Sequence, residues 1–202
     1  NFTNKDLWTD FPKHAEPDKD YALLGNWGED GWKWLQGQLK DNDNLGENGI
    51  YYPPYWRNPR FGISRPNAPV VTITWYEANA YCKWLFANWD ELDEGQQGLA
   101  KPAKIRLPTE KEWVFAAGGD ENKRFAFGEL KDMKELPRYA NTNESNINRT
   151  TPVWMYPKGK SLHELMDMSG NVFEWQANYV SDGQLALRGG SWISDRVDAR
   201  VS

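Results

Sequence analysis

With 202 residues and 23.4 kDa, of which 39% are hydrophobic, 26% charged and 14% aromatic, the chain is long enough to bury a sizeable core as one domain. A mean hydropathy of −0.83 and the lack of any long apolar run exclude a membrane-spanning helix. The net charge of −5 falls on residues 1–50, which hold five Lys/Arg against ten Asp/Glu, and neither that acidic quarter nor the neutral remainder supplies the basic footprint a nucleic-acid partner requires.

One cysteine, Cys82, allows no internal disulfide and no zinc site built from several thiolates, and is compatible with the cytoplasm. His14 and His163 are too few for a three-histidine metal site in one copy of the chain. No signal peptide is visible at the start, which opens at Asn1. Twelve tryptophans each need either a packed interior or a ligand to face.

In chain order, residues 1–68 read as irregular, with a short amphipathic patch at Trp32–Leu39. The run Tyr51-Tyr52-Pro53-Pro54-Tyr55-Trp56 is either a packed extended loop or an aromatic platform for a ligand. Val70–Ile73 reads as a short buried strand, and Thr74-Trp75-Tyr76-Glu77 after it has the capping-box pattern of a helix start. Apolar residues at Ala78, Tyr81, Cys82, Leu85 and Trp89 mark one face of that helix, with Cys82 as a small buried hydrophobe. The same grammar repeats at strand-like Ile105–Leu107, then Pro108-Thr109-Glu110-Lys111-Glu112, a second cap opening a helix that carries Trp113, Ala116 and Ala117 and stops at Gly118-Gly119. Beyond residue 120, Phe125–Gly128, Thr151–Met155 and Leu185–Arg188 are strand candidates between Asn-, Gly- and Ser-rich loops. Helices with scattered short strands define an α+β domain of high loop content.

The last motif, Asp167-Met168-Ser169-Gly170-Asn171-Val172-Phe173-Glu174-Trp175, sets a carboxylate between two large apolar rings. A charge so placed needs a partner or a metal. Asp167 lies across a Gly-containing turn that can fold the two acids together. Either a hard cation such as calcium or a simple cap and salt-bridge role accounts for the pair.

Three segments taken together, Val70–Leu85, Arg106–Trp113, and Asp167–Trp175 running on to Arg188-Gly189-Gly190-Ser191-Trp192, resemble the formylglycine-generating enzyme (sulfatase-modifying factor) superfamily. The resemblance covers about residues 50–202. It implies a single C-type-lectin-like domain with two helices, short twisted antiparallel sheets and abundant loop, and a chain trimmed at both ends. It also implies calcium at two places. One uses Asp167, the carbonyls of Gly170 and Val172, and Glu174, all retained. The other uses Asn141 and Thr142, then an acid and a carbonyl in a later loop, matched here by Ser145 and Ile147; the acid is replaced and only Glu144 is near.

Enzymes of this superfamily oxidise a sulfatase cysteine to formylglycine through copper(I) held by two thiolates, five positions apart, shortly after the Gly-Gly-Ser-aromatic motif. Soft cuprous copper requires such sulfur ligands. Residues 193–202 contain no cysteine, and Cys82 belongs to the helix motif. An ungapped alignment puts the first thiol position at Ala199, and a gapped one puts the pair near Arg196 and Val201. A related branch, the iron-dependent sulfoxide synthases, needs three histidines that are absent. Copper is therefore not expected. The reading that remains is a non-catalytic module binding a protein, small-molecule or glycan ligand. The resemblance extends to variable proteins of diversity-generating retroelements, which display the region after Gly-Gly-Ser-Trp; here that is Ile193, Ser194, Asp195, Arg196, Val197 and Asp198, which otherwise form an ordinary polar surface loop. The alternative is a copper-dependent oxidase with its thiols outside these residues.

Overall fold

The structure, a computed structural model, describes residues 27–40, 52–92, 99–118, 123–181 and 184–201. The backbone gathers into two compact units, one formed by residues 1–54 with 73–107 and the other by 55–72 with 108–202.

The first unit is built on two helices. The patch foreseen at Trp32–Leu39 is the middle of a longer helix α1, Trp27–Lys40. Helix α2, Trp75–Ala87, begins as its sequence dictates: Thr74 Oγ1 accepts the Glu77 N–H at 3.3 Å while the Glu77 carboxylate accepts the Thr74 N–H at 2.6 Å. Two donors orphaned at the helix start are thereby satisfied. Leu35 of α1 and Ala80 of α2 are fully buried, with Trp32, Trp34, Leu39, Tyr76 and Trp84 packed around them. The buried part of α2 is its first turns, including Trp75, Ala78 and Ala80, so the foreseen face is corrected in part: Tyr81 is 49% exposed and stacks on Trp84, and Cys82 is half-buried. Burial pushes the Cys82 thiol up to about 11, which keeps it protonated and unreactive near neutral pH.

Val70–Ile73 and Ile105–Leu107, read as strands, form none. Thr72 sits at φ +60°, a left-handed conformation that breaks the extension a strand requires.

The second unit holds helix α3, Glu110–Gly118, and a hairpin of β1, Glu174–Ser181, with β2, Gln184–Arg188. The cap of α3 is again reciprocal: Glu112 N–H donates to Thr109 Oγ1 and Thr109 N–H to the Glu112 carboxylate. The strands pair antiparallel with Glu174 opposite Arg188 and Trp175 opposite Leu187, and the register shifts before Tyr179 opposite Leu185. Arg188 forms an ion pair with Glu110, and Asn178 accepts the Glu110 N–H at 2.6 Å, so the hairpin is fixed to the start of α3. Trp113, Ala117, Ala126, Met168 and Val201 form one core; Phe125, Leu136, Ala140 and Ala199 form another. Of the other strand candidates, Phe125–Gly128 closes on itself as a single bridge, and Thr151–Met155 is a turn in which Met155 N–H donates to Pro152 O. Short 3₁₀ turns at Met133–Arg138, Asn143–Ser145 and Pro157–Gly159 carry the intervening chain.

One glycine here decides the packing. Gly170 has φ +89°, and a Cβ on it would stand 2.5 Å from the Asn141 carbonyl oxygen, which is backbone and cannot yield cheaply. Gly170→Ala should destabilise the protein by about 3 kcal/mol or more, read as a lower denaturation midpoint in urea. A midpoint within error of the parent would show that the 167–171 turn does not pack as described.

Candidate functional site

The segment 167–171 turns sharply because three of its residues, Asp167, Gly170 and Asn171, occupy positive φ. Asn171 ties that turn to three neighbours. Its N–H donates to Asn141 O, its side chain exchanges hydrogen bonds with the backbone of Thr151, and its carbonyl accepts the Trp192 N–H at 3.0 Å. Gly170 N–H donates to Gly189 O, so the Gly-Gly-Ser-Trp motif is sewn to the same turn. Asn and Asp tolerate left-handed backbone better than other side chains. This role of Asn171 escaped the motif reading, although an Asn after Gly in a turn is a signal for it.

The turn brings the two expected acids together. Glu174 opens β1, and its carboxylate accepts the Trp113 indole N–H at 2.6 Å. Burial, and after it the nearby Asp167 charge, push its carboxyl up to about 7 against the pull of that indole donor. Burial also raises Asp167, opposed by the Trp154 backbone N–H and the Asn171 side chain. Asp167 Oδ2 is buried and lacks any hydrogen-bond partner. Two half-buried, mutually repelling carboxylates with one buried oxygen left without a donor are a set that a hard cation would satisfy. Gly170 lies in the same turn and Val172 directly after it. Among the described residues no group of three or more His, Cys, Asp or Glu side chains converges, so a cation here would depend on these two acids with carbonyls.

The second expected set behaves differently. Asn141 and Thr142 are fully buried, and the Ser145 hydroxyl lies 2.8 Å from Asn141 Oδ1 and 2.7 Å from the Thr142 carbonyl. The Ser145 N–H donates to that carbonyl as well. Ile147 is half-buried two residues further on. Oxygens already facing donors, with no carboxylate among them, do not fit a dication.

Residues 193–198 form an exposed loop with one exception. Ile193 is 64% and Val197 50% exposed, and Asp195, Arg196 and Asp198 are exposed too. Ser194, expected on display, is buried: its hydroxyl accepts the Ser191 N–H at 3.1 Å and meets the Ser191 hydroxyl. Asp195 is partly structural, since its carboxylate accepts the Val197 and Asp198 N–H groups. Beside this loop runs an aromatic ladder. Tyr55 stacks on Phe61 and Phe61 on Trp192, each pair 5.9 Å apart, with the Arg60 guanidinium over both Phe61 and Trp192. Tyr55, from the aromatic–proline run, therefore presents an exposed ring on the ladder; Tyr51 lies outside the described residues. Phe61 and Arg60 were not singled out by the sequence, because nothing local marks them as neighbours of Trp192.

Within residues 193–201 the burial pattern singles out one further pair of positions. The only buried small side chains five apart in residues 193–201 are Ser194 and Ala199. Ser194 Oγ bonds to Ser191 N–H, and a Cβ on Gly190 would touch the backbone of Ala199, so both positions lie under Gly190-Ser191. Of the pair Arg196 and Val201, the first is exposed and the second buried.

Taken together, the α+β unit, the turn joining Asp167 to Glu174, and the Gly-Gly-Ser-Trp segment sewn beneath an exposed loop define a formylglycine-generating-enzyme-type scaffold. Residues 29–202 match the sulfatase-modifying factor enzyme 1-like domain, and the chain belongs to that family. A formylglycine-generating enzyme of Streptomyces coelicolor is 34% identical over 142 residues, 63% of this chain and 38% of that protein. The inactive C-alpha-formylglycine-generating enzyme 2 of Mus musculus is 29% identical over 210 residues, 95% of this chain and 61% of that protein. The matched stretches thus span less than two thirds of either relative. Among solved structures, Treponema denticola variable protein 1 superposes with a TM-score of 0.54 over 83% of this chain and 72% of that one, at 22% identity, a likeness of fold.

Proposed function

We propose that this chain is a non-catalytic binding module that presents Ile193, Asp195, Arg196, Val197 and Asp198, flanked by the Tyr55–Phe61–Trp192 ladder, to a protein, small-molecule or glycan ligand. The observation that carries the reading is the separation of roles within one short segment. Exposed side chains at 193 and 195–198 alternate with buried anchors at Ser194 and Ala199, on a segment without cysteine. Such a surface accepts substitution while the framework stays intact. An inactive relative in mouse and a variable protein of similar fold support the reading. Retroelement diversification of the same positions is a finer form of it. Calcium held by Asp167, Glu174 and the carbonyls of Gly170 and Val172 would fix the turn beneath Trp192 as a structural ion.

Sequencing the gene from many isolates of its source tests the finer form. Substitutions should collect at 193 and 196–198 and spare Ser194 and Ala199; substitutions spread evenly, or falling on those two anchors, would count against it. For binding itself, Ile193→Ala, Arg196→Ala and Val197→Ala combined should stay within about 1 kcal/mol of the parent in stability, as surface changes do. The same variant should lose the parent's signal on glycan and peptide arrays. Equal array signals from parent and variant would defeat the displayed-loop assignment.

A further inference from the structure

We infer that the 141–147 loop has exchanged a bound cation for a protein-only latch, and that Glu144 is the positioning residue by which this latch holds the 193–198 loop. The inference rests on the reading of 193–198 as a binding surface. The Ser145 hydroxyl occupies the place between Asn141 Oδ1 and the Thr142 carbonyl, at 2.8 and 2.7 Å, where two oxygens would otherwise face a cation. That frees the neighbouring acid. One Glu144 oxygen accepts the Thr142 hydroxyl at 2.7 Å, which orients the carboxylate, and the other accepts the Arg196 N–H at 3.0 Å. Beside it, Asn143 N–H donates to the Ser194 carbonyl at 2.9 Å. The two links form a clasp on the loop at residues 194 and 196.

The anchor beneath the clasp is firm. Asn141 is fully buried, donates its amide N–H to Arg149 O and Thr151 Oγ1, and accepts the Asn171 N–H on its carbonyl. What the clasp grips is main chain only: the carbonyl of residue 194 and the amide of residue 196. A latch of this kind is indifferent to the side chains on the loop, so residues 193 and 196–198 can change while the backbone stays placed. Holding a binding loop in one conformation lowers the ordering cost of association. A charge-assisted hydrogen bond to a backbone N–H is a strong form of such a hold.

Amide hydrogen exchange in the full chain tests the latch. Glu144→Ala should speed exchange at the Arg196 amide by about ten-fold, and Glu144→Gln, which keeps an acceptor oxygen, should restore much of the protection. Unchanged exchange at Arg196 in Glu144→Ala would overturn the latch. Calcium titration of the Asp167→Asn/Glu174→Gln variant should show no bound calcium, and a remaining site would overturn the exchange of cation for hydroxyl. Should that variant not fold, a parent stoichiometry above one does the same. Neither readout uses a ligand for the 193–198 loop, so the latch and the binding reading fail or stand separately.

Discussion

Chelating calcium from the purified protein at pH 8 should lower its melting temperature by roughly 6–12 °C, and the effect should vanish near pH 4.5. The magnitude is that of a ligand held only by the folded chain at about 100–1,000 times its Kd, about 3–4 kcal/mol. For a protein of this size each kcal/mol moves the melting temperature by about 2–4 °C. The pH dependence follows from Glu174, whose carboxyl is pushed from 4.5 to about 7 in the folded chain without metal. The sign is fixed by linkage. A carboxyl raised on folding binds more protons in the folded than in the unfolded state between pH 4.5 and 7. The metal-free protein therefore loses stability as pH rises through that window and levels off above it. The raised Asp167 acts in the same direction.

Calcium works against this loss, because it binds the ionised carboxylates and its affinity grows as the protons leave. Melting curves with calcium and with chelator should thus coincide at acid pH and separate by pH 8. Glu174→Gln, which keeps the Trp113 acceptor but not the charge, should remove the chelator sensitivity and reduce the pH slope to the part that Asp167 contributes. Curves that run parallel at every pH, or a parent insensitive to chelation, would refute a structural ion at Asp167 and Glu174.

What the sequence yielded and what it withheld differ for physical reasons. Both capping boxes could be read from residues three apart, because the hydrogen bonds concerned are local: Thr74 with Glu77, and Thr109 with Glu112. The closeness of Asp167 and Glu174 followed from a short turn for the same reason. The failures involve partners distant in the chain. A short apolar run such as Val70–Ile73 looks like a strand, but Thr72 at positive φ breaks the extension that pairing requires. Ser194 looks like any polar loop residue until its hydroxyl is seen bonded to Ser191. The pairing of Glu144 with Arg196 spans 52 positions, and no spacing rule would suggest it.

The same burial pattern leads to a gain-of-function expectation with a larger effect than any of the losses. If Ser194 and Ala199 occupy the places where, by the resemblance, catalytic members of the superfamily carry thiols, then Ser194→Cys/Ala199→Cys should bind a single copper(I) ion far more tightly than the parent chain. The physical requirement is two soft ligands that converge without rebuilding the backbone. Both positions are buried, at 6% and 0% exposure, and both lie under Gly190-Ser191. Ala199→Cys adds one sulfur to a buried site, and Ser194→Cys replaces an oxygen by a larger sulfur at some loss of the Ser191 contact. The double variant should therefore fold with a modest loss of stability. Each single variant supplies one thiolate and should bind weakly, so the double should exceed their combined effect in competition with a cuprous chelator under reducing conditions. Arg196→Cys/Val201→Cys serves as the control, because an exposed and a buried position do not present two sulfurs to one ion. Binding by that control and not by the Ser194/Ala199 pair would show that the gapped alignment gives the true correspondence. Binding by the Ser194/Ala199 pair alone would place the difference between this chain and the copper-binding members of its family in two side chains on an otherwise retained frame.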